Sequence, residues 1–135
     1  LYPPPKSNEY KAERFMEIDR IIYCQTIETM FANKLVAVLD RYERHKLIAG
    51  RDIYDIHYFF YKGVKYNKEV ILERRSESDL LVFFQNLHEF IQTKVTRIIL
   101  DQDLNVLLKP SQFQQIRKTL KNETIMFIKD EMQRL

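Results

Sequence analysis

Apolar residues recur at three- and four-residue steps along residues 27–44, at Ile27, Met30, Phe31, Leu35, Val38, Leu39 and Tyr42. That spacing lines one side of a helix, and Thr26 just ahead supplies a hydroxyl for the first free N–H groups. Gly50 then breaks the chain, and a second short helix is predicted over residues 52–62, closed by Gly63 in a left-handed cap. A third helix is predicted over residues 67–75. Leu80, Phe84, Leu87, Ile91, Val95 and Ile98 predict one long fourth helix, ended by a polar Asp101-Gln102-Asp103 turn. The last helix opens at Pro110, with Ser111 and Gln114 as a capping box, and buries Phe113, Ile116, Leu120 and Phe127.

The head of the chain reads differently. Pro3, Pro4 and Pro5 fix φ and remove three backbone donors, so residues 1–8 are expected to be extended, within a tail or linker of residues 1–14. In residues 15–24 the β-formers Ile21, Ile22 and Tyr23, and the alternation of Phe15, Glu17 and Asp19 against Met16 and Ile18, suit a short strand that needs a partner. The expected fold is mainly α: a bundle of about five helices with one N-terminal strand, forming a single helical domain over residues 15–135.

Composition narrows the class further. The 135 residues suffice for one core, and two glycines and four prolines are too few for the frequent turns of an all-β sandwich. No run of apolar residues is long enough to span a membrane, which needs about 18 or more. The single cysteine, Cys24, excludes an internal disulfide and a cysteine-based zinc site, which fits a reducing compartment; the cytoplasm is the expected location. A net charge of +3 does not by itself indicate a nucleic-acid partner. The chain begins at Leu1 rather than methionine, and the expectation is a piece of a longer polypeptide.

Chemistry is sought where a charge takes a position that packing would give to an apolar residue, because burying an unpaired charge is costly. Lys34 is one such residue, between Met30, Phe31 and Val38 on the apolar arc, and Arg41 returns to almost the same angle two turns later. The structural alternative is a lysine that lays its stem on the core and lifts its ammonium to water. In the second helix Asp52 and Asp55 share a face with Ile56 and Phe59. A first-turn acid also complements the helix dipole, which accounts for Asp52 at least as well, but less well for Asp55. The stretch from Arg41 through Arg44, His45 and Lys46 to Arg51 is the densest basic segment: an ordinary solvated loop, or an approach for triphosphate or RNA.

The lysine helix Ile27-Glu-Thr-Met-Phe-Ala-Asn-Lys34-Leu-Val-Ala-Val-Leu-Asp-Arg41, followed by Arg51-Asp52-Ile-Tyr54-Asp55-Ile-His-Tyr58-Phe, resembles the C-terminal part of the AbiEii/AbiGii nucleotidyl transferase toxin family over residues 27–63. The resemblance implies the C-terminal half of a nucleotidyltransferase-like protein, the toxin of a type IV toxin-antitoxin or abortive-infection pair. Such a protein transfers a nucleotide from a nucleoside triphosphate to RNA or protein with Mg2+, and its partners are a cognate antitoxin and an RNA acceptor. It further implies Lys34, Asp52 and Asp55 as catalytic residues and Arg41 and Arg51 as nucleotide- or RNA-binding residues. In that family a Gly-Ser turn and an Asp-x-Asp metal pair precede these motifs. Here Gly50 and Gly63 are the only glycines and neither precedes a serine, so the expectation is a chain that lacks the triphosphate-holding half, binds neither Mg2+ nor NTP alone and is inactive alone.

Two other readings compete. Arg51 and His57, six residues apart, have the form of the working pair of HEPN-type ribonucleases, which cleave RNA without metal. Alternatively the anomalous charges are surface pairs on a non-catalytic domain whose helices pack on a partner. That third reading expects no pocket that brings Lys34 near Asp55.

Overall fold

In the computed structural model, which describes residues 10–15 and 20–135, the longest helix is α1 (Ile27–His45). Thr26 starts it, its side chain accepting a hydrogen bond from the Thr29 N–H at 3.3 Å. Lys46, in the left-handed region at φ 55°, ends it by donating its N–H to the Tyr42 carbonyl. The side facing the core carries Phe31, Leu35, Val38 and Leu39 together with Ala32 and Val36. Ile27 and Met30, predicted on the buried side, are about half exposed because they lie at its edge.

Six further helices follow: α2 (Gly50–Tyr61), α3 (Lys68–Arg75), α4 (Leu80–Lys94), α5 (Arg97–Leu107), α6 (Pro110–Ile116) and α7 (Leu120–Arg134). Ahead of α1 lies an antiparallel hairpin of β1 (Tyr10–Phe15) and β2 (Arg20–Gln25), with Tyr10 opposite Gln25 and Phe15 opposite Arg20. The expected five helices and one strand are therefore corrected to seven helices and two strands among the described residues. The predicted strand finds its partner in β1, which takes up residues 10–14 of the expected tail. The tail reading of residues 1–8 and the alternation read through 16–19 lie outside the described residues.

The two extra helices come from breaks that hydrophobic spacing hides. The stripe read as one helix from Leu80 to Ile98 divides at Val95, where the backbone turns extended and Thr96 caps α5 through its hydroxyl and the Ile99 N–H. Val95 is fully buried, so the apolar rhythm runs on through the corner, while Ile98 ends up 69% exposed. Asp101-Gln102-Asp103, predicted as a turn, lies inside α5. Pro110 does open a helix, but Ser111 and Gln114 do not cap it: the Lys109 N–H donates to the Gln112 Oε1 instead, at 3.4 Å. That helix stops at Ile116, and Leu120 begins α7.

The core forms around Phe31. Its ring meets Phe59 at 5.0 Å, Phe60 edge-on at 4.9 Å and Tyr66 edge-on at 5.9 Å, joining α1 to α2 and to the segment before α3. Packed rings of this kind add stabilisation beyond the area they bury. Helix α7 lies against α2 and α4, α5 lies against α2, and α3 lies against α1.

Gly50 positions α2. Ala49 offers no side-chain cap, and the Gly50 N–H is met from across the bundle by Asp103 of α5, whose Oδ2 accepts it at 2.5 Å. A Cβ at Gly50 would stand 3.0 Å from the Asp103 Cβ and 3.3 Å from the Leu100 Cα, so a larger residue would need these neighbours to give way slightly. Gly63, at φ 71°, turns the chain out of α2 by donating its N–H to the Phe60 carbonyl.

Candidate functional site

Antiparallel contact between α1 and α2 brings three of the sequence-predicted residues together. The Lys34 Nζ lies 3.3 Å from the Asp52 Oδ1 and 3.0 Å from the Asp55 Oδ2, bridging two acids one helical turn apart. Arg41, two turns further along α1, places its NH1 3.5 Å from the other oxygen of Asp52. Burial is graded across the group: the side chain of Asp52 is 6% exposed, that of Asp55 28% and that of Lys34 35%. The Asp52 Oδ2 is shielded from water yet accepts no hydrogen bond, although a buried carboxylate oxygen ordinarily has one. Two cations thus face two carboxylates at contacts that are long for charge-assisted hydrogen bonds.

The remaining candidates lie elsewhere. Arg51 is exposed and makes no ion pair among the described residues. His57 is buried on the opposite side of α2, where its Nε2 lies 2.7 Å from the Glu123 Oε1 and its ring packs near Tyr61 and Phe127 of the α2–α7 seam. Arg51 and His57 therefore do not share a face within this chain, and His57 is engaged by Glu123 instead. Asp101 and Asp103, which have Asp-x-Asp spacing, are engaged elsewhere: Asp101 pairs with Arg117 at 2.8 Å and Asp103 caps α2.

A divalent cation needs several oxygen or nitrogen ligands around one point. Among the described residues no group of three or more acidic, histidine or cysteine side chains converges in that way. Asp52 and Asp55 come nearest, but Lys34 and Arg41 already balance their charge, so these residues do not fit a magnesium site as arranged.

Sequence reasoning missed the contact of Arg41 with Asp52, although the helical angle that Arg41 shares with Lys34 was the available signal. It also missed a second ionic group on α1. Arg75 of α3 reaches Asp40 at 2.6 Å and Glu43 at 2.7 Å, and Arg74 reaches Asn33 at 2.9 Å and Asp40 at 3.3 Å. The hydrogen bond from Arg75 holds the Glu43 carboxyl below the usual glutamate range, and the same bond raises the Arg75 guanidinium above its own. Two hollows, of about 530 and 600 Å3, open beside α7, and neither is lined by Lys34, Asp52 or Asp55. Among the described residues no helix is long and apolar enough to cross a membrane.

Comparison with curated proteins and with solved structures finds no match for this chain. Comparison with protein families does find one, to the family described as nucleotidyl transferase AbiEii toxin of type IV toxin-antitoxin systems, over residues 2–129. The match corrects the narrower resemblance drawn from residues 27–63 and its placement in a C-terminal part. Family character runs from the head of the chain, through the hairpin and into α7. The fold is accordingly not that of a C-terminal half alone, and the lack of a Gly-Ser dipeptide does not mark a missing half or an inactive chain. With residues 2–129 of its 135 matched, the chain belongs to the AbiEii family of nucleotidyl transferase toxins.

Proposed function

We propose that this chain acts in nucleotidyl transfer through the group formed by Lys34, Asp52, Asp55 and Arg41. The observation that carries this reading is the Lys34 ammonium suspended between Asp52 and Asp55 on a side chain about one-third open to solvent. An ammonium held this way is a movable point charge, suited to neutralising the negative charge that develops on a phosphate during transfer. Asp52, nearly buried, fixes the position of that ammonium. Asp55, more exposed, accepts the proton of the acceptor hydroxyl as its oxygen attacks the α-phosphorus and the bond to pyrophosphate breaks. Arg41 and the exposed Arg51 guide the triphosphate or an RNA acceptor toward the pair.

The substrate under this reading is a nucleoside triphosphate, Mg2+ is the expected cofactor, and the partner is the antitoxin named in the family description. The test is transfer of an α-labelled nucleotide to RNA or to protein, with Lys34→Ala beside the parent chain. The rate is expected to fall by about 100- to 1,000-fold, the scale for losing one preorganised charge-stabilising donor. An unchanged rate would remove Lys34 from the mechanism.

A further inference from the structure

Beside the start of α3 lies a hollow of about 530 Å3 that shares no lining residue with the lysine–aspartate group. Its volume suits a small ligand. One wall is aromatic: Phe60 of α2 and Phe127 of α7 lie nearly parallel, 14° apart with centroids at 5.7 Å, and the Tyr66 ring stands beside them. All three are half-buried and line the hollow.

Charge is divided across the opening. On the α7 side Arg134 pairs with both Asp130 and Glu131, and the Tyr66 hydroxyl donates to the Glu131 Oε2 at 2.5 Å. Burial, and then that hydrogen bond, push the Tyr66 hydroxyl well above the usual tyrosine range, so it remains a neutral donor and this side is closed on itself. On the opposite side Lys65 and Lys68 are exposed, and neither meets a carboxylate within ion-pair distance among the described residues. The hollow thus offers a flat apolar surface next to two uncommitted ammonium groups. Stacking on aromatic rings holds a base of any sequence, and lysine binds phosphate as a point charge.

We infer that this hollow binds a nucleoside 5′-phosphate, its base against Phe60 and Phe127 and its phosphate between Lys65 and Lys68. Neither half of the ligand suffices alone. Inorganic phosphate leaves the aromatic wall unused, and a nucleoside leaves the two ammonium groups unused. The ligand is a free nucleotide or the 5′-phosphorylated end of an RNA strand, and both present the same chemistry. The site shares no residue with the Lys34 group, so it stands whether or not that group transfers nucleotides.

Titration calorimetry on the full chain with AMP, adenosine and inorganic phosphate tests this. AMP is expected to bind at least tenfold more tightly than either of the others. The double variant Lys65→Glu/Lys68→Glu, both positions being exposed, is expected to keep its circular dichroism and to lose at least tenfold in AMP affinity. Lys34→Ala is expected to leave AMP affinity where it was. Failure of AMP to bind, equal binding of phosphate and AMP, or indifference to the double charge reversal would each overturn the inference. Loss of AMP binding in Lys34→Ala would overturn it as well, and would move the nucleotide to the α1–α2 group. A 5′-phosphorylated RNA trinucleotide that outcompetes AMP assigns the site to strand ends, and one that does not assigns it to free nucleotide; both results support the site.

Discussion

Helix α1 carries two ionic groups, one turned to α2 and one to α3, and they are built to opposite specifications. Toward α3, arginine forks meet carboxylates and an amide in five hydrogen bonds between 2.6 and 3.3 Å, with both oxygens of Asp40 and of Glu43 occupied. Toward α2, a lysine and an arginine approach two aspartates at 3.0 to 3.5 Å, and one oxygen of Asp52 accepts no hydrogen bond. Arginine presents a rigid, preorganised fork, whereas lysine is a point charge on a flexible stem. The first group is fitted to hold two helices together, and the second, under the proposed function, is the one that meets substrate. Charged residues alone therefore do not mark a site, and the proposed role rests on the Lys34 ammonium shared between two acids rather than on charge as such.

This contrast can be broken by substitution. After Lys34→Ala itself, the largest effect is expected for Asp52→Ala, which frees Lys34 to wander: nucleotide transfer is expected to fall about 100-fold, close to 3 kcal/mol of transition-state stabilisation. Thermal unfolding of that variant should move little, since Lys34 can turn to water. Arg75→Ala should do the reverse, lowering stability by about 2 kcal/mol in denaturant titrations through lost charge-assisted hydrogen bonds while transfer stays near the parental rate. A large loss of transfer in Arg75→Ala, with the fold intact, would erase the distinction.

Smaller effects sharpen it. Gly50→Ala forces a Cβ against Asp103 and Leu100 and is expected to cost about 1 kcal/mol, with transfer reduced in step because α2 carries both aspartates. The smallest effect is one of pH. Glu43 titrates below its unfolded value, so its contribution is present above the usual glutamate range of ~4.3 and fades as pH falls through the lower, folded value. The Glu43 side chain is 57% exposed, so the loss should stay below ~1 kcal/mol, and it should vanish in Glu43→Gln when unfolding is compared at neutral and acid pH.

Much of the α1–α2 arrangement was legible because its signals are local. The three- and four-residue rhythm fixes the buried side of α1, and Lys34, Asp52 and Asp55 stand out as charges placed among apolar neighbours. What escaped depends on distant residues. The Asp103 carboxylate that caps α2 comes from another helix, so Gly50 looked like a break rather than the first residue of α2. Val95 is buried at a corner, which lets the apolar stripe run on and conceals the start of α5 at Thr96. Arg74 and Arg75 look like ordinary dipole partners at the end of α3, and only the packing of α3 on α1 reveals their fork. The family was read from a lysine helix and an aspartate helix, while its extent, residues 2–129, was not legible from those two motifs.

The grip of Asp103 on the first amide of α2 has a mechanical side. It clamps the helix at one tip, with Asp52 almost at the clamp and Asp55 one turn farther along the arm. Any tilting of α2 about that fulcrum would sweep Asp55 through a wider arc than Asp52. The same rocking would loosen one of the two oxygen contacts around the Lys34 ammonium before the other.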